Sequence, residues 1–362
     1  VKQRPKTALY QQGGMRLVPK RHGLMIKAKI KDKGMYVVTG GAGFIGSNIL
    51  SALEQRGERK LVVVDRLRDG NKWQNIAKRE VTDIVAPEHV FDFLESHKSR
   101  IKAVFHMGAI SATTERDADK IVTNNFNLSI ALYKWCAVHE VRFIYASSAA
   151  TYGDGQNGFD DVFSVEGLSL FRPLNAYGWS KHLFDRRLAR QISEGRKTPP
   201  QWAGLKFFNV YGPNEYHKGG QSSVVSQVYP HAAANTHFSL FRSHNPKYPD
   251  GGQLRDFVWV GDVVDVIMWL LDNPGVSGLF NLGTGQARSF RDLASAVYQS
   301  LGKEPNLRYV DTPVAIRDKY QYFTQARMDR LRQAGYDKPF TSLEDGVGLY
   351  VQNFLSNSDP YL

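Results

Sequence analysis

Tyr177 and Lys181 stand four residues apart in the run Tyr177-Gly178-Trp179-Ser180-Lys181, and Ser148 lies upstream in Ser147-Ser148-Ala149-Ala150-Thr151-Tyr152-Gly153. On a helix an i,i+4 pair shares one face, so the ammonium lowers the phenol pKa and holds a ribose hydroxyl while Ser148 hydrogen-bonds a substrate oxygen. These groups can move a proton on and off a sugar hydroxyl. They acquire redox chemistry only beside a nicotinamide, which the rest of the chain must bind. A Tyr and a Lys at this spacing also make an ordinary surface pair, and the surrounding elements decide between the two.

The first of those elements is Met35-Tyr36-Val37-Val38-Thr39, a short apolar run that reads as a buried strand. Gly40-Gly41-Ala42-Gly43-Phe44-Ile45-Gly46 follows it directly, ahead of a helical apolar pattern over residues 47–53. Gly41, Gly43 and Gly46 satisfy G-x-G-x-x-G, while Gly40, Gly43 and Gly46 satisfy the wider G-x-x-G-x-x-G; either lets a pyrophosphate approach a helix N-terminus. Leu61-Val62-Val63-Val64 supplies a second strand, and Asp65 follows where an adenine ribose should lie. Asp65 by itself suggests NAD. Arg66, Arg68 and Lys72 in the same loop suit a 2′-phosphate or are simply solvated, so the residues leave NAD and NADP both open.

Residues 102–106, 141–146 and 204–208 are further strand candidates with helical stretches between them. The pattern predicts an α/β protein, a Rossmann-like doubly wound parallel sheet with a smaller C-terminal α/β substrate-binding lobe. The expected division is a basic, disordered extension over 1–34, a dinucleotide-binding domain over 35–206 and 257–283, and the substrate lobe over 207–256 and 284–362. Ligands of such sheets bind beyond the carboxyl ends of the strands, where the Ser148 loop and the turn after Asp65 both fall.

The 362-residue chain carries a formal charge of +12, but ten lysines and arginines against Asp32 alone give residues 1–34 a charge of +9. The body is left with only +3, which argues against nucleic acid as the main partner. The extension lacks the apolar core and cleavage site of a secretory signal, and nothing resembles a membrane span. A single cysteine, Cys136, permits no internal disulfide and fits a reducing cytoplasm. His217, His231, His237 and His244 lack zinc-site spacing, so no metal is expected.

The motifs extend to His106-Met107-Gly108-Ala109, Thr113-Thr114-Glu115, Asn209-Val210-Tyr211-Gly212-Pro213-Asn214-Glu215, His217-Lys218-Gly219, Arg255-Asp256-Phe257-Val258, Asn281-Leu282-Gly283-Thr284-Gly285 and Tyr320-Gln321-Tyr322-Phe323-Thr324-Gln325-Ala326. With these the chain resembles the extended short-chain dehydrogenase/reductase superfamily from Met35 to about Phe354. Within it, the chain is similar to the ADP-L-glycero-D-manno-heptose 6-epimerases, for which His-Lys-Gly and Tyr-Gln-x-Phe-Thr-Gln are the specific elements. The resemblance implies an isomerase that inverts C6 of an ADP-heptose through a 6-keto sugar and so supplies a precursor of the lipopolysaccharide inner core.

It further implies Tyr177 as catalytic acid/base, Lys181 on the nicotinamide ribose, Ser148 on the reacting oxygen and Lys218 as a second catalytic group. From spacing alone, Lys218 reads better as a diphosphate-binding lysine. Besides Gly40, Gly43, Gly46, Lys181 and Lys218, the implied cofactor contacts are Phe44, Ile45, Asp65, Arg66, Lys72, Met107, Gly108, Ala109, Ile110, Ser111, Asn124 and Val210. The implied cofactor is NADP, tightly bound, one per subunit. Implied substrate contacts are Ser148, Asn209, Phe241, Arg242, Ser243, His244, Arg255 and Tyr320, with Gly220 and Gln227 standing where relatives tend to have Ser and His. Arg255 suits a diphosphate, with a salt bridge to Asp256 or another carboxylate as the plain alternative. The stretch Pro249-Asp250-Gly251-Gly252 is an insertion in the substrate loop. A homo-oligomer, a pentamer, is also implied. Ala149 and Ala150 stand where a 4,6-dehydratase of this fold needs an Asp-Glu pair, which excludes elimination of water. A UDP-hexose 4-epimerase would use Ser148, Tyr177 and Lys181 equally well.

Overall fold

A computed structural model describes residues 34–317 and 321–362; residues 1–33 of the basic extension and Tyr320 lie outside the described residues. The apolar runs form strands β1 (Met35–Thr39), β2 (Leu61–Val64), β3 (Asp83–Val85), β4 (Ile101–His106), β5 (Arg142–Ser148) and β6 (Trp202–Phe207). After them come β7 (Asn209–Tyr211), β8 (Phe238–Phe241), β9 (Leu254–Trp259), β10 (Gly278–Leu282), β11 (Ala287–Ser289) and β12 (Leu307–Val310).

Seven strands make one sheet in the order β10-β6-β5-β4-β1-β2-β3, with every neighbouring pair parallel. Each residue of β1 and β2 is buried, as a strand covered on both faces requires. Side chains alternate across a strand, and β1 shows what that does here. Val38 packs with Ile49 and Leu53 of the helix Phe44–Gln55 and with Val263 and Ile267 of the helix Val260–Asp272. Val37 packs on the opposite face with Leu132 of the helix Leu128–Val138 and with Phe184 and Leu188 of the helix Ala176–Ser193. The sheet is therefore doubly wound, as the alternation of strand and helix predicts. Strand order turns between β1 and β4, which puts the Gly-rich turn after Thr39 and the segment after His106 at the switch point.

The remaining strands form a three-stranded sheet, β11-β9-β7, and a parallel pair, β8 with β12. A third buried cluster gathers Val225, Leu293, Val297, Val347 and Tyr350 from the helices Val224–Ala233, Phe290–Ser300 and Leu343–Tyr350. Strand β9 bridges the clusters, since Phe257 packs in the third and Val258 in the first. Among the described residues, no helix is long and apolar enough to cross a membrane.

Candidate active site

The Gly-rich turn is built by close backbone approach. Gly40 has φ +65°, and a Cβ on it would lie 2.7 Å from Gly108 Cα; a Cβ on Gly46 would lie 2.2 Å from the Gly40 carbonyl oxygen. The Gly43 position is tight against the same oxygen at 3.0 Å, so the turn uses the Gly40, Gly43, Gly46 spacing. Gly41 serves packing instead, facing the Val38 carbonyl and the Val63 side chain. The helix Phe44–Gln55 that follows has neither a side-chain cap nor an acidic residue in its first turn. Its first amides and the positive end of its dipole are thus suited to an anion, and the bare backbone around them to a pyrophosphate.

At the end of β2, Asp65 accepts hydrogen bonds from the Ala42 amide (3.0 Å) and the Arg66 amide (2.7 Å) and pairs with Lys72 (2.5 Å). Arg66 is held by Glu88 and by Asn124 Oδ1 at 3.3 Å. The structure therefore brings Asp65, Arg66, Lys72 and Asn124 together, with the Asp65 charge already compensated by a cation.

Ser148 ends β5, and its Oγ accepts the Ala150 amide at 3.1 Å. The helix Ala176–Ser193 starts at Asn175, whose side chain caps the Gly178 amide at 2.8 Å. A Cβ on Gly178 would stand 2.6 Å from the Ala150 carbonyl oxygen, so only glycine lets this helix close on the Ser148 loop. That closure brings Tyr177 near enough to Ser148 for the serine to act on the phenol. Burial raises the Tyr177 pKa and neighbouring Ser148 opposes the rise. The expectation that Lys181 lowers the phenol is thus not met in the chain itself: desolvation sets the shift, and Lys181 is not among its causes. Burial brings buried Lys181 down to about 8 against the pull of Asp185.

Two supporting networks escaped the sequence reading. Asp185 lies one turn beyond Lys181 and is fully buried; it accepts from Tyr145 (3.0 Å) and Ser147 (2.7 Å) and pairs with buried Lys206 (2.9 Å). Lys206 also donates to Thr151 Oγ1 at 2.6 Å, and Thr151 donates to the Ser148 carbonyl at 2.8 Å, so the pair anchors the Ser148 loop from beneath. The i,i+4 spacing of Asp185 from Lys181 was the available signal. The second network centres on His106, at the end of β4. Ser129 Oγ donates to the Asn125 carbonyl (2.5 Å) and so accepts from His106 Nε2 (2.8 Å), leaving Nδ1 to accept from the Thr39 hydroxyl (2.6 Å). Thr39 Oγ1 in turn accepts the Gly108 amide (3.1 Å). Burial, helped by the Lys181 charge, pulls His106 down to about 3, so it is neutral with its proton on Nε2. A π turn over Val122–Asn127 aims Asn125 inward, where its side chain holds both backbone groups of Ile110 and donates to Ser180 Oγ (3.0 Å). Met107, Gly108, Ala109 and Ile110, half-buried, and exposed Ser111 are thereby suspended between β1 and the Tyr177 helix.

Lys218 is half-buried, its ammonium 4.2 Å from the centroid of the Phe44 ring. Burial lowers its pKa and Glu215 opposes the shift. Gly220 is exposed, and Gln227 donates to the Ser222 carbonyl at 2.8 Å, tying the loop to itself. Asn209 is exposed and Val210 half-buried on β7. On the substrate side, Ser243 and Arg242 engage Asp250, and the Gly251 amide donates to the Phe241 carbonyl (3.1 Å), so the 249–252 stretch buttresses residues 241–244. The Arg255 guanidinium lies over Phe290 at 5.5 Å. Asp256 instead accepts amides of Thr284, Gly285 and Ala326, because alternate residues of β9 face opposite ways. Residues 321–322 join this region to the Ser148 loop: Gln321 donates to the Gly153 carbonyl (2.8 Å), and Tyr322 accepts the His244 amide (2.9 Å). Among the described residues, no group of three or more His, Cys, Asp or Glu is arranged to hold a metal ion.

Residues 36–283 match the model of the NAD dependent epimerase/dehydratase family. The chain is 49% identical over 330 residues to an ADP-L-glycero-D-manno-heptose-6-epimerase of Nitratidesulfovibrio vulgaris (strain DP4), covering 91% of this chain and 100% of the relative. It is 45% identical to the enzyme of that name from Fusobacterium nucleatum, with the same coverage. Among solved structures, the Helicobacter pylori ADP-L-glycero-D-manno-heptose-6-epimerase aligns with a TM-score of 0.71 at 28% identity, over 89% of this chain and 96% of that one. The Thermus thermophilus UDP-glucose 4-epimerase, in complex with NAD, aligns with a TM-score of 0.69 at 26% identity, over 88% and 97%. A glycine turn shaped for a pyrophosphate and a Ser148-Tyr177-Lys181 site, joined to this likeness over nearly the whole length of its relatives, make the chain a member of the NAD dependent epimerase/dehydratase family.

Proposed function

We propose that the chain inverts C6 of the heptose in ADP-D-glycero-D-manno-heptose, giving the L-glycero epimer through a transient 6-keto sugar. The observation that carries this reading is the close packing of the Tyr177 helix on the Ser148 loop, through Gly178 and Ala150 and with Lys181 buried one turn on, in a chain nearly half identical to heptose 6-epimerases. An unactivated carbinol carbon cannot be deprotonated by a side chain, so inversion needs a removable hydride, and a bound nicotinamide dinucleotide supplies that chemistry. Gly40, Gly43 and Gly46 with the helix Phe44–Gln55 would hold its pyrophosphate, residues 107–111 its middle, and Lys181 the nicotinamide ribose.

Ser148 positions the reacting oxygen, and Tyr177 and Lys218 exchange its proton. Burial shifts these last two groups in opposite directions, the phenol up and the ammonium down. The pair therefore offers one readily protonated and one more easily deprotonated group, which a reaction that removes and then restores a hydroxyl proton requires. Arg255 and residues 241–244 would take the ADP portion of the substrate. NADP is favoured over NAD because Asp65 is already neutralised by Lys72 and Arg66 stands beside it. The same reading carries a homo-oligomer, a pentamer by resemblance, in a reducing cytoplasm.

The test is conversion of ADP-D-glycero-D-manno-heptose by the purified protein, with C6 configuration followed by NMR. The L-glycero product is expected, and a Tyr177→Phe variant should lose at least about a hundredfold in rate. Turnover of UDP-galactose with none of the heptose would overturn the substrate assignment and leave the family standing.

A further inference from the structure

Residues 359–362 run back from the helical stretch that ends at Leu355 onto the two loops that carry Lys72 and Lys218. The Tyr361 hydroxyl donates to Gln74 Oε1 (2.6 Å), while Lys78 donates to the Tyr361 carbonyl (2.6 Å) and pairs with Asp359 (2.9 Å). On the other loop, the Tyr216 hydroxyl donates to the Pro360 carbonyl (2.9 Å) and the Leu362 amide to Asn214 Oδ1 (3.0 Å). The Tyr216 and Tyr361 rings meet edge to face with centroids 5.2 Å apart. Four consecutive residues thus grip both loops at once.

Beneath them the loops are stitched to each other and to the Gly-rich turn. Asn75 Nδ2 donates to His217 Nδ1 (3.1 Å) and to the Ala42 carbonyl (2.9 Å), and Asn214 Nδ2 to the Asn75 carbonyl (3.3 Å). Lys218 rests its ammonium on the Phe44 ring, and exposed Gly219, at φ +54°, follows it. Where Lys218 stands therefore depends on what holds residues 214–217.

We propose that residues 359–362 are a positioning element for the reaction, fixing the 214–218 loop against the 71–78 loop and so setting the Lys218 ammonium relative to the Gly-rich turn. The inference rests on Lys218 taking part in the chemistry. The Lys78 contacts are exposed and the remaining ones only part-buried, so the segment adds modestly to stability, whereas a displacement of about 1 Å at a reacting group can cost two orders of magnitude in rate.

The test places Tyr361→Ala with Asp359→Ala in the full chain, beside Lys218→Ala and the combination of all three. The paired variant is expected to melt within about 3 °C of the parent while its kcat falls about tenfold and KM moves little. Tyr361→Phe, which keeps the ring on Tyr216, should recover part of the rate. On the Lys218→Ala background the same two substitutions should cost nothing further in residual rate. Parental turnover in the paired variant, or a full additional loss without Lys218, would overturn the proposal and leave the role of Lys218 intact. Parental turnover in Lys218→Ala alone would remove that role and the positioning with it.

Discussion

At the scale of residues, the site works by placing ionisable groups where their protonation states differ from those in water. Lys181 is the clearest case. Its charge is lost as pH rises through about 8, so ribose binding and turnover should fall along an alkaline limb near that value. The sign for stability is opposite: a lysine whose folded pKa lies below its unfolded one costs stability while charged, and that cost is relieved between pH 8 and the ordinary lysine range. Asp185→Asn removes the charge that holds Lys181 up, and the limb of the kcat/KM profile should move to lower pH. The same substitution strands Lys206 as a buried, unpaired cation, and chemical denaturation should show a loss of about 3–5 kcal/mol. A loss below about 1 kcal/mol would mean the pair carries little of the Ser148 loop.

At the scale of elements, what the sequence made legible was periodic or motif-bound. Alternating apolar runs predicted β1, β2, β4, β5 and β6, and glycine spacing predicted the turn after Thr39. The supports of the site were not legible, because they depend on which strand ends meet. Asn125 and Lys206 each look like ordinary polar residues, and His106 like a motif residue without a stated task, until the parallel sheet brings β1, β4, β5 and β6 side by side. Gly178 likewise shows its purpose only where its helix meets Ala150. Gly178→Ala should therefore lower kcat more than tenfold, roughly, with a far smaller change in melting temperature, since the helix must retreat from Ser148. His106 makes a separate prediction. Its folded pKa near 3 lies below that of a free histidine, so stability falls as pH drops below about 6.5 and protons favour the unfolded chain. Between pH 6.5 and 5 this amounts to about 2 kcal/mol. His182 and His217, both near 4, act in the same direction, so the check is the difference in pH dependence between the parent and His106→Gln.

At the scale of the whole molecule, the doubly wound sheet is the part that would hold the dinucleotide, and residues 321–326 tie β9 to the Ser148 loop through Gln321 on the Gly153 carbonyl and the Ala326 amide on Asp256. Specificity is divided accordingly. Replacing Arg66 and Lys72 by alanine should weaken NADP about tenfold or more in a titration while leaving NAD within about threefold, and equal losses for both would contradict the choice of NADP. Light scattering on the purified chain should give a mass five times the 40.8 kDa subunit if the pentamer implied by the resemblance forms. The most direct test of the central claim, that inversion proceeds by reversible oxidation at C6, uses ADP-D-glycero-D-manno-heptose carrying deuterium at C6, turned over in ordinary water. Retention of the deuterium at C6 of the L-glycero product is the expected result, because the hydride leaves and returns within one closed site; its replacement by solvent hydrogen would contradict the account.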